Sequence, residues 1–192
     1  KALQEYGVDA KEEEFRAMSG ASDDIFIGAV AEKHGVPYRT EMKDRAYTVY
    51  GEMAAGNVEA FQDMDRIIRK LREKGMKTAV ASSADRRKVS ISLKAVGLPE
   101  ELFDAIISAD QVSKAKPAPD LFLKAAEVLN ITPACCVALD DSPLGIHGAK
   151  EAGMKTMAVL TDRQKEEFQE ERPTCFCQVP TECYRLIVRN RI

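Results

Sequence analysis

Four short apolar runs alternate with helix-like segments between residues 77 and 160, and this alternation restricts the fold more than any other feature of the chain. The runs have the length of buried strands and cover residues 77–81, 105–108, 136–139 and 156–160. Amphipathic stretches fill the intervals, and glycines follow several of them where a helix would end. Strands that alternate with helices form a parallel sheet with right-handed crossovers. Residues 61–192 are therefore predicted to be α/β, with a Rossmann-like parallel sheet flanked by helices.

Residues 1–60 show no such alternation and are predicted to form a separate, all-helical region. One helix is predicted over 22–32 and another over 40–53. The apolar face of the first of these helices is expected to contain Ile25, Ala29 and Val30. The tail after Pro180 fits either a closing helix over 181–189 or a strand over 185–188.

Composition argues against several kinds of partner. The formal net charge is −3, which gives no support for nucleic-acid binding. No apolar run approaches the roughly 18 residues needed to span a bilayer. The sequence gives no indication of the oligomeric state.

The five cysteines give a weak indication of the compartment. Cys135 and Cys136 begin an apolar run and are expected to be buried thiols. Cys175, Cys177 and Cys183 lack the fourth ligand that structural zinc requires. An odd cysteine count without a signal segment favours a reducing compartment, so a cytoplasmic location is predicted, with an organelle as the alternative if an N-terminal segment is missing.

Polar side chains follow three of the predicted strands, at the edge where a parallel sheet binds its ligands. Ser82 and Ser83 come after the first strand, where a hydroxyl beside free helix-start amides can donate to a phosphate oxygen. Lys116 precedes Pro-x-Pro, which restricts its backbone and can aim its charge into a site. Asp140 and Asp141 follow the third strand, and such adjacent carboxylates suit Mg²⁺. Each signal also has a simpler explanation, namely a helix N-cap for the serines or for one aspartate, and a solvated surface position for the lysine.

In order and spacing, the three signals together resemble the haloacid dehalogenase-like hydrolase superfamily over residues 60–162, and most closely its β-phosphoglucomutase-like phosphatases and mutases. The resemblance implies that Ser82 hydrogen-bonds the transferring phosphoryl group and that Lys116 offsets negative charge on it. It implies that Asp141 coordinates Mg²⁺ and that Asp140 is a second ligand or holds a metal-bound water.

Two further implications are weaker. Ser83 and Arg86 could contact substrate, although Arg86 also fits a solvated helix start. The residues before 60 resemble the small α-helical cap of this subfamily, which gives a predicted division into a cap at 1–60 and a core at 61–192.

The sequence departs from the family at the motif that supplies the nucleophile. That motif is Asp-x-Asp at the end of the opening strand, and no such strand lies within the chain. Asp23-Asp24 and Asp63-x-Asp65 are in helical contexts. The missing strand belongs at the centre of the sheet, between the strands ending near residues 81 and 139, and each buried backbone group left unpaired there costs about 1–3 kcal/mol. Either upstream residues supply that strand or another segment, such as the apolar tail at 186–188, replaces it.

A second departure concerns substrate. Residues 18–23 lie where mutase-like relatives carry a basic phosphate ligand, and none is present. The expected function of the complete protein is therefore a Mg²⁺-dependent phosphatase that hydrolyses a small phosphorylated metabolite through an aspartyl-phosphate. A sugar-phosphate mutase on the same scaffold is one alternative. A non-catalytic module that binds phosphate and metal is the other.

Overall fold

The computed structural model describes residues 1–16 and 21–189. The helices are α1 (Glu12–Arg16), α2 (Asp23–Lys33), α3 (Thr40–Ala54), α4 (Met64–Glu73), α5 (Arg86–Ala95), α6 (Asp120–Leu129), α7 (Pro143–Glu151) and α8 (Pro180–Val188). The strands are β1 (Ala79–Ala81), β2 (Ala105–Ile107), β3 (Val137–Asp140), β4 (Lys155–Val159) and β5 (Cys175–Cys177). The four predicted strands are confirmed, whereas β5 was not predicted.

All strand pairs are parallel, which confirms the α/β prediction. β1 pairs with β2, and β4 pairs with β3 on one side and β5 on the other. β1 and β3 belong to different sheets, so no strand of the described residues joins them, and the tail at 186–188 does not take that place. Leu139 lies within apolar β3 and is nevertheless 40% exposed, which is unusual for a strand at the centre of a fold.

Helices cover both faces of the strands. Val80 of β1 and Ile106 of β2 pack against a cluster that includes Ile68 of α4 and Val89 of α5, while Ile107 packs with α6 on the other face. On the second sheet, alternate residues of β4 contact α7 on one face and α8 on the other. The result is a three-layer arrangement in which the carboxyl ends of β1 and β3 open toward the same cavity.

The N-terminal helices have a core of their own, centred on Ile27, Val30 and Met42. The predicted apolar face of α2 was partly wrong, because Ile25 is 54% exposed and Ile27 is the buried residue. One register position along a helix is a rotation of about 100°, so a small error in reading the apolar spacing moves a side chain to solvent. The proposed domain division at residue 60 stays a prediction.

The N-terminal helices contact the α/β region mainly where α3 packs against α5. Ion pairs cross this interface. Lys43 lies 2.9 Å from Asp85, and Lys88 lies 2.6 Å from Asp23. The Tyr50 hydroxyl also shares a hydrogen bond with Ser92. These contacts place the start of α2 beside the strand ends.

The C-terminal segment resolves the open alternative for the tail, because Pro180–Val188 is a helix and no strand forms at 185–188. A disulfide joins Cys177 to Cys183 and ties β5 to α8, a pairing that the prediction of a reducing compartment did not anticipate. Cys135 is exposed and Cys136 is half-buried, so the expectation that both are buried was wrong. They lie at a 3-10 turn before β3 rather than inside that strand. Among residues 1–16 and 21–189, no helix is both long enough and apolar enough to cross a bilayer.

Candidate functional site

A cavity of about 470 Å³ lies where the carboxyl ends of β1 and β3 meet the start of α2. Five of the polar residues predicted for the site line it, and they are Ser82, Ser83, Lys116, Asp140 and Asp141. Although these residues are spread over about 60 positions of the chain, the parallel topology brings them to one edge. The structure thus brings together these five residues, whereas Arg86 lies outside the cavity.

The two serines at the end of β1 differ in their hydrogen bonding. The Ser82 hydroxyl accepts a bond from the Ala84 backbone N–H at 3.1 Å, within the loop before α5, whose N-cap is Asp85. Ser83 is only 7% exposed, and within the described part of the chain its Oγ has no hydrogen-bond partner. An unsatisfied buried hydroxyl costs about 1–3 kcal/mol, so it calls for an explanation. A ligand oxygen in the cavity would supply the missing partner.

Lys116 is not a solvated surface residue. Its Nζ lies 2.7 Å from Asp140 Oδ2, and the two side chains are 10% and 8% exposed. The Nζ also lies 5.3 Å from the centre of the Phe122 ring, a favourable cation–π distance. The Lys116–Pro117 peptide is cis. The surface explanation for this lysine was therefore wrong, and its charge is held at the cavity wall.

The Asp140 carboxylate is fully engaged by protein groups. Its Oδ1 accepts hydrogen bonds from the Ser142 backbone N–H at 2.9 Å and from the Ser142 hydroxyl at 2.7 Å, while Oδ2 faces Lys116. The Ser142 hydroxyl in turn accepts from the Gly145 N–H, so that Ser142 caps α7. A Cβ at Gly145 would lie 2.0 Å from the Asp140 side chain, so this close approach requires glycine.

Asp141 has a different environment. It is exposed toward the cavity, and in the described ranges no side chain donates to its carboxylate. Partial desolvation, followed by the repulsion of Asp140, raises the pKa of Asp141. Lys116 is too closely paired with Asp140 to cancel this effect. The free carboxylate is thus an electrostatically unsatisfied hard oxygen donor, which is the kind of group that Mg²⁺ binds.

The donor set fits Mg²⁺ if other oxygens complete the coordination. Within residues 1–16 and 21–189, no group of three or more histidine, cysteine or carboxylate side chains is placed to hold a metal ion. Mg²⁺ commonly takes one or two carboxylates and fills its remaining positions with water and phosphate oxygens. With Mg²⁺ bound, Asp141 would be the direct ligand, and Asp140, whose oxygens already face Ser142 and Lys116, would orient a metal-bound water.

Arg86 is not placed to contact substrate, the role suggested for it from the sequence. It forms a two-point contact with Glu100 and also donates to Ser90, and it does not line the cavity. The pKa of Glu100 is lowered to about 2, first by this arginine and then by Ser90. Arg86 is therefore part of a surface ion pair at the start of α5.

Two cavity residues were missed in the sequence, Asp23 on α2 and Lys88 on α5. The helical context of Asp23 argues against a nucleophile there, and the structure does place this residue in the first turn of α2. Asp63 and Asp65 lie at the start of α4, outside the cavity. Of the segment 18–23, which lacks a basic residue, positions 18–20 lie outside the described residues. No local pattern identifies Asp23 or Lys88, because their approach depends on how α2 and α5 meet.

The model of the family described as haloacid dehalogenase-like hydrolase matches residues 1–159, and the chain belongs to this family. The chain is 35% identical over 174 residues to Protein SUPPRESSOR OF QUENCHING 1, chloroplastic, of Arabidopsis thaliana, a match that covers 88% of this chain and 16% of that protein. It is 28% identical over 159 residues to the bifunctional riboflavin kinase/FMN phosphatase of the same plant, covering 83% of this chain and 42% of that protein. The chain thus spans less than half of the length of these two relatives.

A solved structure shows the same fold. The crystal structure of a hydrolase from Pseudomonas syringae superposes with a TM-score of 0.85 at 19% identity, covering 98% of this chain and 87% of that one. The likeness extends to the N-terminal helices, since nearly the whole of this chain is covered.

Proposed function

We propose that this chain is the substrate-binding and charge-stabilising part of a Mg²⁺-dependent phosphatase that, in the complete protein, hydrolyses a small phosphorylated metabolite through an aspartyl-phosphate. One observation carries the proposal. Ser83, Lys116 and Asp141 converge on one cavity at the strand ends on either side of the interruption in the sheet. The relation to an enzyme named as a phosphatase supports the same class of reaction.

The charges around the cavity suit one phosphate group. Lys116 and Asp140 cancel each other, which leaves Asp141 as the unbalanced charge. Bound Mg²⁺ would supply a Lewis acid that polarises the phosphoryl oxygens and would turn this local charge from −1 to +1. The phosphate dianion is then attracted, and the hydroxyls of Ser82 and Ser83 are available to donate to its oxygens.

The chemistry follows from these positions. A carboxylate on a strand between β1 and β3 would lie next to Lys116, which lowers the repulsion between that carboxylate and the phosphate. As the carboxylate oxygen bonds to phosphorus, the ester P–O bond breaks and the leaving oxygen takes a proton from a general acid. A water molecule then attacks phosphorus and loses a proton, and the bond to the carboxylate breaks to give free phosphate and the original carboxylate.

The test uses full-length protein and an aryl phosphate. Phosphate release is expected with Mg²⁺ and not with a chelator, and Asp141→Asn is expected to abolish it. Asp120→Asn is the matched control, because Asp120 begins α6 and does not line the cavity. Unchanged turnover in Asp141→Asn would contradict the proposal that Asp141 is a Mg²⁺ ligand.

The same assay separates the other two functions. Isomerisation of a sugar phosphate that needs a bisphosphate primer would identify a mutase. Mg²⁺-dependent binding of inorganic phosphate without any turnover would identify a non-catalytic module.

A further inference from the structure

The cavity has a second wall, which is built from helices rather than from strand ends. α2 contributes Asp23 and Phe26 to it, and α5 contributes Lys88. With the phosphate at the strand ends, the remainder of a substrate faces this wall. Its chemistry therefore bears on which leaving group the site accepts.

Asp23 and Lys88 form a tight pair on this wall. Lys88 Nζ lies 2.6 Å from Asp23 Oδ1, and the Tyr47 hydroxyl donates to Asp23 Oδ2 at 2.8 Å. The side chain of Asp23 is only 7% exposed, whereas that of Lys88 is 29% exposed. The Lys88 ammonium also lies within 6 Å of the centres of the Tyr47 and Tyr50 rings, at 5.9 and 5.8 Å. The lysine is thus held in place, and its charge is balanced by a buried carboxylate.

The ion pairs at the cavity wall affect which charges on a ligand the cavity can accommodate. Its ionisable wall residues within the described chain are Asp23, Lys88, Lys116, Asp140 and Asp141. Both lysines are committed to an aspartate, and the remaining charge is negative. A second phosphate or carboxylate on the substrate would therefore find no uncommitted cation at this wall. A neutral hydroxyl, in contrast, can accept from Lys88 and donate to a carboxylate oxygen of Asp23.

We propose that Asp23 and Lys88 are specificity-determining residues that restrict the substrate to phosphate monoesters with a neutral, hydroxyl-bearing leaving group. This proposal rests on the phosphatase function proposed above and adds the class of substrate. Charged leaving groups are rejected at the helical wall, and Phe26 supplies an apolar surface beside the pair. Such selection disfavours a charged leaving group by leaving its charge without a counter-ion, rather than by adding contacts to a neutral leaving group.

The experiment compares two sugar phosphates that differ by one phosphate group, glucose 6-phosphate and glucose 1,6-bisphosphate, on full-length protein with Mg²⁺. The wild type is expected to favour the monophosphate at least tenfold in kcat/KM. Asp23→Asn keeps the shape of the side chain and the bond from Tyr47 but frees the charge of Lys88. This variant is expected to lower the preference about tenfold, the order of one charge interaction near a protein surface.

Asp24→Asn is the matched control. Asp24 is the next residue of α2 and also holds a lysine, Lys43, and a tyrosine hydroxyl, that of Tyr38. It does not line the cavity. Its substitution is expected to leave the ratio between the two substrates unchanged, whatever it does to stability.

Lys88→Gln provides a second test in case Asp23→Asn fails to fold. It is expected to change the preference between the two sugars in the opposite direction. Asp23 then keeps its charge and the hydrogen bond from Tyr47 but has no counter-ion, and the preference for the monophosphate is expected to rise. Arg87→Gln is its control, since Arg87 pairs with Asp44 across the same helical interface and lies outside the cavity. Equal use of both sugars by the wild type, or a ratio that neither substitution moves, overturns the proposal.

A binding measurement keeps this proposal separate from the phosphatase function. Calorimetric titration of the same two sugars with Mg²⁺ gives the ratio of Kd values without any turnover. If neither sugar is hydrolysed but the ratio still shifts between wild type and Asp23→Asn, the phosphatase function fails and the charge selection stands. If hydrolysis occurs and the ratio does not shift, the reverse holds. If neither sugar binds, the charge selection fails, while Mg²⁺-dependent phosphate release from the aryl phosphate still decides the phosphatase function.

Discussion

The two sides of the cavity, one at the end of β1 and one at the end of β3, differ in how completely their polar side chains are hydrogen-bonded. On the β3 side, Lys116, Asp140 and Ser142 satisfy one another, and Gly145 makes room for them. On the β1 side, the buried hydroxyl of Ser83 has no partner within residues 1–16 and 21–189. The β3 side is therefore organised before a ligand arrives, whereas the β1 side is completed only by the ligand. The difference separates residues whose loss harms folding from residues whose loss harms binding alone.

Lys116→Met tests the organised side and should have the largest effect. It leaves Asp140 buried without its counter-ion, and breaking a buried pair in this way costs about 3–5 kcal/mol of unfolding free energy. A loss of at least about 100-fold in kcat is expected in addition, because a preorganised charge at the reacting group is removed. Denaturant unfolding and phosphate release measure the two effects. Lys114→Met, at an exposed position outside the cavity, should change neither.

Gly145→Ala tests the same side without changing a charge. The new methyl group would overlap the Asp140 carboxylate, and such overpacking costs about 1–3 kcal/mol. Thermal unfolding should show the loss. Gly51→Ala is the control, since its methyl group meets only Ile91 at 3.8 Å and a helix interior favours alanine by up to about 1 kcal/mol. Equal stability of the two variants would contradict the close fit at Asp140.

Ser83→Ala tests the unfinished side and should separate stability from binding. Because the hydroxyl is buried and unpaired, its removal should leave the free energy of unfolding unchanged or raise it by about 1 kcal/mol. Mg²⁺-dependent binding of inorganic phosphate should weaken in the same variant. Ser82→Ala should instead lose about 1 kcal/mol of stability, because its hydroxyl accepts from Ala84. A clear loss of stability in Ser83→Ala would mean that Ser83 has a structural partner.

Glu100→Gln concerns the outer surface of the β1 side and should have the smallest effect. The Arg86 guanidinium lowers the pKa of Glu100 to about 2 from an ordinary value near 4.5. A lowered carboxyl pKa stabilises the folded protein above pH 4.5, and that contribution disappears as the pH falls toward 2. The difference in stability between wild type and Glu100→Gln should therefore shrink over this range. A difference that stays constant from pH 5 to 2 would contradict the ion pair.

The sequence predicted the elements whose signals are local. Strands β1 to β4 are largely apolar runs. The site residues lie at the end of a strand or, for Lys116, directly before a Pro-x-Pro segment, so order and topology sufficed to place them together. β5 is no shorter than β1 or β2, but two of its three residues are cysteines and none is β-branched, so its sequence carries a weaker strand signal. Asp23 and Lys88 are 65 positions apart, and only the packing of α2 near α5 joins them. Cys135 is exposed because it lies in a 3-10 turn, and the apolar run that begins there does not indicate this turn.

If a strand that carries the nucleophile fills the interruption between β1 and β3, as the proposed function requires, catalytic competence is linked to the completion of folding. β1 pairs with β2 on one edge, and β3 pairs with β4 on one edge. Within the described chain, the other edge of β1 and of β3 has no strand paired to it. A single extended segment in that slot would bond both edges at once and in one register, because a shift of one residue reverses every side chain. The two half-sheets would then close cooperatively, and the nucleophile would reach Lys116 only in the closed state. A partly folded molecule would therefore have no hydrolytic activity, and a competing strand from another molecule would block the enzyme as well as nucleate aggregation.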